Sequence, residues 1–153
     1  MTEIAWETAN SVEVNASLSF AWKYWTDVSN WDDPPARFEL AGEFANGAHG
    51  FTRIPRQHPL PWFVRDVHPM SGATIEMPLE GATISFRWQF ESLAAERTKL
   101  TQRILLTGEK AGTHLAQAKS MFTANLPAGM SKLAVAIANA FSTGKISSGN
   151  ASS

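Results

Sequence analysis

The sequence predicts an α+β fold: a curved antiparallel sheet of about seven strands around a long C-terminal helix, with short helices after strand one. Three observations predict it. The stretch "ATISFRWQFE" (Ala82 to Glu91) alternates without a break. Ile84, Phe86, Trp88 and Phe90 fall on one face, and Thr83, Ser85, Arg87, Gln89 and Glu91 on the other, the period of a strand with one dry side. The strand-like runs are consecutive and mostly joined by tight turns, the order of hairpins and not of βαβ units. After Gly112 the period changes: Leu115, Phe122, Leu126, Met130, Leu133, Ile137 and Phe141 recur at spacings of three, four and seven, as on an amphipathic helix.

The elements follow in order. "SVEVNA" is the first strand, with Val12 and Val14 on one face. In "SLSFAWKYWTDV", Ser17 or Ser19 caps a helix on which Leu18, Trp22 and Trp25 share a face. Pro34 and Pro35 end it, and a short second helix or turn fits "SNWDDPPA". "ARFELAGEF" is the next strand, and Asn46-Gly47 after it is a two-residue hairpin signal, because both turn positions take positive φ. "AHGFTRI" and "PWFVRDVH" form a hairpin around "PRQHPL". "GATIEMPL" and "GATISFRWQFE" pair through Glu80-Gly81. "RTKLTQRILLTG" closes the sheet with Leu100, Gln102, Ile104 and Leu106 inside, since Arg97, Lys99, Thr101 and Arg103 need water. The last helix is about 29 residues, or ~43 Å, if unbroken. Pro127 removes the bond to the Thr123 carbonyl and predicts a kink there.

The chain has 153 residues, enough for one domain whose core needs no staples. That domain is expected over 1–141. The end, 142–153, is small and polar and reads as a disordered tail. There is no cysteine, which excludes disulfide and thiolate chemistry and points to the cytoplasm. The first residues lack a signal-peptide pattern, and no apolar run approaches the ~18 residues of a membrane span. A net charge of −1 with scattered signs gives no footprint for nucleic acid.

Several segments resemble one superfamily. "FAWKYWTDVSNWDDP" is similar to the tryptophan-rich first-helix region of START-like proteins, also called the SRPBCC or birch-pollen-allergen-like superfamily. "LAGEFANGAHGF", "FVRDVHPMSGATIEMPL", "ERTKLTQRILLTG" and "ANLPAGMSKLAVAIANAF" resemble its later strands and its final helix. The similarity runs from Ile4 to Phe141 and is closest to the polyketide cyclase/dehydrase-like branch. The resemblance implies the helix-grip fold, with a cavity between sheet and helix for an apolar or aromatic molecule. The superfamily includes lipid carriers, hormone receptors, polyketide cyclases and co-chaperones, so the fold does not fix the activity.

Two functions fit: binding of a hydrophobic, aromatic or lipid-like small molecule in that cavity, or a polyketide cyclase-like enzyme using the same cavity. The expected lining is Phe86, Trp88, Phe90, Gln102, Ile104 and Leu106 from the sheet, with Phe122, Leu126 and Met130 from the helix. Gln102 is the pointed residue, because a buried amide must be hydrogen-bonded. It either orients a ligand or bonds within the protein. Enzyme chemistry needs convergent ionisable groups. The candidates are Asp66, His68 and Glu76, with His49 across the hairpin from Asp66 or His68 if the loop centres near Gln57–His58. An exposed strand end is the competing reading, since the pattern does not say which face of this hairpin is inner. No metal or cofactor is expected: His49, His58, His68 and His114 lack H-x-H and H-E-x-x-H spacing, and no phosphate-binding glycine motif occurs. Trp22, Trp25 and Trp31 read as braces between the short helices and the sheet rim, or as a gate at the pocket mouth.

Overall fold

A computed structural model describes residues 4–31 and 33–151, with side chains through Gly144. The strands are β1 (Ile4–Val14), β2 (Arg37–Ala41), β3 (His49–Arg53), β4 (Leu60–His68), β5 (Gly72–Leu79), β6 (Ala82–Ala94) and β7 (Arg97–Thr107). The helices are α1 (Leu18–Thr26), α2 (Ala111–Phe122) and α3 (Asn125–Ala151), with a 3-10 turn at Val28–Asn30. All seven strands form one antiparallel sheet in the order β1-β7-β6-β5-β4-β3-β2. This is the helix-grip fold: α3 packs against β1, α2 against β1 and β7, and α1 against β6 and β7.

The corner after β1 is fixed by local chemistry. Ser17 caps α1 by accepting from the Phe20 N–H (3.2 Å). The buried Thr98 hydroxyl on β7 donates to the Ala16 carbonyl (2.9 Å), tying that corner to the sheet. The β5–β6 turn is Glu80-Gly81, as the sequence predicts, with Leu79 opposite Ala82 and Gly81 at φ 69°. On the convex side, Arg103 meets Glu7 and Arg97 meets Glu13 across β1 and β7.

The structure corrects five expectations. First, β1 starts at Ile4, well before "SVEVNA". Its inner face there carries Thr8 and Asn10, so apolar alternation does not reveal it. Second, Asn46-Gly47 is not a two-residue hairpin. Ala41 pairs with His49, so seven residues, 42–48, join the strands. Only the glycines of this loop have positive φ, Gly42 at 83° and Gly47 at 84°. The Asn46 side chain instead accepts from the Val67 N–H (2.7 Å). Third, the β3–β4 loop centres on Arg56, φ 66°, so His49 lies opposite Phe63 and not Asp66 or His68. Fourth, the C-terminal helix is broken rather than kinked. It stops at Phe122 and restarts at Asn125, four residues after the Met121 carbonyl to which the Asn125 amide donates (2.6 Å). Pro127 then sits in the first turn of α3, where its missing N–H would have no partner anyway. Fifth, the segment 142–153 continues α3 as far as Ala151, and 152–153 lie outside the described residues. No proline follows Pro127 to stop the helix.

Candidate functional site

The β6 row faces the helices. Phe86 meets Phe122 of α2 at 5.5 Å between ring centroids, Trp88 meets Trp25 of α1 at 5.2 Å, and Phe90 lies against Trp22 and Trp25 at 5.2 and 5.3 Å. Register carries this face across the sheet. Trp88 is opposite Gln102, and Gln102 is opposite Asn10. Asn10 in turn donates its Nδ2 to Met130 Sδ of α3 at 3.4 Å. Trp88 and Gln102 thus lie on the concave side, with Asn10 between them and the long helix.

The nine expected lining residues divide by burial. Phe90, Ile104, Leu106, Leu126 and Met130 are buried and belong to the core. Phe86, Trp88, Gln102 and Phe122 are only half-buried, although they point at the helices. Thr8 and Asn10 on β1 are half-buried on the same face. Gln102 makes no side-chain hydrogen bond to another described residue. At every regularly paired position among the described residues, strand alternation puts no Asp, Glu, Lys, Arg or His on the concave face; at the bulge between Arg65 and His68, Asp66 and Val67 lie opposite Ala73 of that face, and Asp66 is exposed. The buried residues of α3, Leu126, Met130 and Ile137, are also uncharged.

The catalytic candidates lie elsewhere. Glu76 is opposite Phe63 and Ser85 on the convex side and pairs with Arg65 (3.1 Å). Asp66, φ 50°, is exposed in the irregular register between Arg65 and His68. His68 is exposed at the end of β4. The structure does not bring these three together on the concave face. Among the described residues no group of three or more His, Asp or Glu is placed to hold a metal, and no helix is long and apolar enough to cross a membrane.

Beside the concave face, the β2–β4 end is filled with aromatic rings. Trp62 is buried and stacks on Trp31 at 5.2 Å, and Trp31 continues to Trp25 at 6.0 Å. The Trp31 Nε1–H donates to the Trp25 carbonyl (2.7 Å). Gly50, opposite Trp62 on β3, has its missing side chain replaced by that indole: a Cβ there would run into the ring. The braces expected at Trp22, Trp25 and Trp31 are therefore real contacts. Outside them lies an open cleft of about 670 Å³ whose lining includes Trp22, Val28, Phe38, Leu40, Phe44 and Val67. None of the nine expected residues lines it.

Sequence reasoning missed Asn10. The signal was present: Trp6, Thr8, Asn10, Val12 and Val14 keep one parity, and Glu7 and Glu13 the other.

No family model matches the chain, and no curated protein does. Solved structures do. Norcoclaurine synthase from Thalictrum flavum, a point mutant in complex with a transition-state analogue, superposes with a TM-score of 0.68 at 14% identity, over 95% of this chain and 97% of that one. The di-domain ARO/CYC BexL, from the BE-7585A biosynthetic pathway, gives 0.66 at 15% identity, over 86% of this chain and 46% of that one. DynU16, a protein of the dynemicin biosynthetic locus, gives 0.60 at 19% identity, over 90% and 48%. This chain spans about half of each of those last two. At such identities the likeness defines the class of fold, the helix-grip fold, and nothing narrower.

Proposed function

We propose that this protein binds a neutral, hydrophobic small molecule, aromatic or lipid-like, between the concave face of its sheet and helices α2 and α3. The proposal places the chain in the START-like superfamily, with 1–141 as the working unit. One observation carries it: Phe86, Trp88, Gln102 and Phe122 face the helices yet remain half-buried. Surface left accessible on that side is room that no side chain fills, and closely packed interiors leave few such voids. Among the described residues, the regularly paired strand positions around it offer aromatic rings and amides and no ionised group. An ionised ligand would lose its hydration there and find no counter-charge, a cost of several kcal/mol (roughly) after relaxation. The same absence argues against the cyclase-like enzyme, because proton removal needs an acid or base within reach of substrate: Glu76 pairs with Arg65 on the convex side, and Asp66 and His68 are exposed at the end of β4.

A matched pair of probes tests this reading. N-phenyl-1-naphthylamine is neutral and brightens in apolar sites. 8-Anilinonaphthalene-1-sulfonate has nearly the same rings and carries a sulfonate. The neutral probe should saturate a single site and bind at least tenfold tighter than the anion. Equal affinity, or no binding of the neutral probe, contradicts the proposal.

A further inference from the structure

The concave face carries one polar row, and its chemistry narrows the ligand further. Asn10, Gln102, Trp88 and Ala73 are direct cross-strand partners on β1, β7, β6 and β5. Cross-strand partners on one face sit within about 5 Å at Cβ, so two primary carboxamides stand side by side with an indole next to them. Asn10 uses one N–H on a thioether, Met130 Sδ, which is a weak acceptor. Its carbonyl oxygen and the whole Gln102 amide make no hydrogen bond to another described residue. A primary carboxamide offers an N–H and a C=O along one edge. A molecule with the reverse pair along its own edge bonds to both at once. Carboxylic acids have that edge only when protonated, and the uncharged face disfavours their ionised form. Cyclic amides have it while neutral and flat, and flatness suits a site walled by Trp88 and Phe86.

From this row we infer that Asn10 and Gln102 form a recognition edge for a neutral planar lactam-type ligand, an N–H and a carbonyl side by side on an aromatic or conjugated ring. The inference rests on the proposed binding function and adds the class of ligand. Thr8, opposite Ile104 and half-buried two residues before Asn10 on β1, adds a side-chain hydroxyl to the same inner face.

The test uses the full chain and displacement of N-phenyl-1-naphthylamine by two flat bicyclic ligands, naphthalene and 2-quinolone, the second of which carries the lactam edge. Both should displace the probe. Gln102→Met keeps side-chain length and removes the amide. It should weaken 2-quinolone about tenfold, the scale of one or two lost hydrogen bonds, and change naphthalene less than twofold. Asn10→Leu should act in the same direction, with a melting curve confirming that each variant is folded. Failure of the neutral probe to bind wild-type protein overturns the binding function and the inference with it. A wild-type protein that binds probe and naphthalene but not 2-quinolone overturns the inference alone. So does a pair of variants that weaken both ligands equally or neither.

Discussion

The two halves of the concave face use the same residue types to opposite ends. Beneath α1 and the 3-10 turn, five of the six tryptophans are linked ring to ring, and Trp25 and Trp62 are buried. In the other half, Trp88 is half-buried between Gln102 and Ala73, with Asn10 beyond Gln102 and Met130 of α3 beyond Asn10. Trp88 belongs to both halves, since one edge of the chain of rings ends on it through Trp25. The difference teaches that an aromatic row is not by itself a ligand wall. What distinguishes the halves is whether a second layer of rings covers the first. In the closed half α1 supplies that layer, and in the open half α2 offers Phe122 against Phe86 alone among the ring contacts.

The largest effect should come from the closed half. Trp25 touches Trp22, Trp31, Phe44, Trp88 and Phe90. Trp25→Ala should destabilise the fold by about 3–5 kcal/mol in urea unfolding. A loss under ~1 kcal/mol would mean that the rings are loosely packed and that the halves do not differ. Next comes Gly50. Gly50→Ala places a methyl group against the Trp62 indole, and overpacking of this kind costs about 1–3 kcal/mol. Near-ultraviolet circular dichroism should change with it as the Trp62–Trp31 stack shifts. Trp62→Phe should cost less than a buried tryptophan usually does. Its Nε1–H is buried with no partner among the described residues, and an unsatisfied donor costs ~1–3 kcal/mol that the variant no longer bears. A net change within about 1 kcal/mol is expected, and a loss near that of Trp25→Ala would show that the N–H is in fact bonded. The smallest effect belongs to the chain end. Deleting 142–153 removes residues beyond Phe141, whose ring meets Phe20 at 5.2 Å, and the melting temperature should stay within about two degrees.

Much of the fold was legible because its strongest elements obey one period. The alternation of Ile84, Phe86, Trp88 and Phe90, the Leu100-to-Leu106 face and the stripe from Leu126 to Phe141 each mark an element and its buried side. Hidden features are those where a side chain replaces a backbone pattern. Asn46 bonds to the Val67 N–H instead of making a tight turn. Arg56 holds a positive φ that its residue type does not advertise, and the register of His49 depends on it. In the site, Gln102 was legible because turning it outward would turn Leu100 and Ile104 out too. Asn10 was not, because the inner face of β1 is partly polar and polar residues conceal alternation.

The claim that one half is closed and the other open has a direct test in the tryptophans themselves. Protein labelled with 5-fluorotryptophan gives one ¹⁹F resonance for each of its six tryptophans, assigned by single Trp→Phe changes. On titration with N-phenyl-1-naphthylamine, the Trp88 resonance should move most, Trp25 should follow weakly through its contact, and Trp31 and Trp62 should stay in place. Movement of Trp22 with Trp88 unmoved would put the ligand in the outer cleft, and movement of Trp31 and Trp62 with Trp88 unmoved would reverse the two halves. Either result contradicts the account.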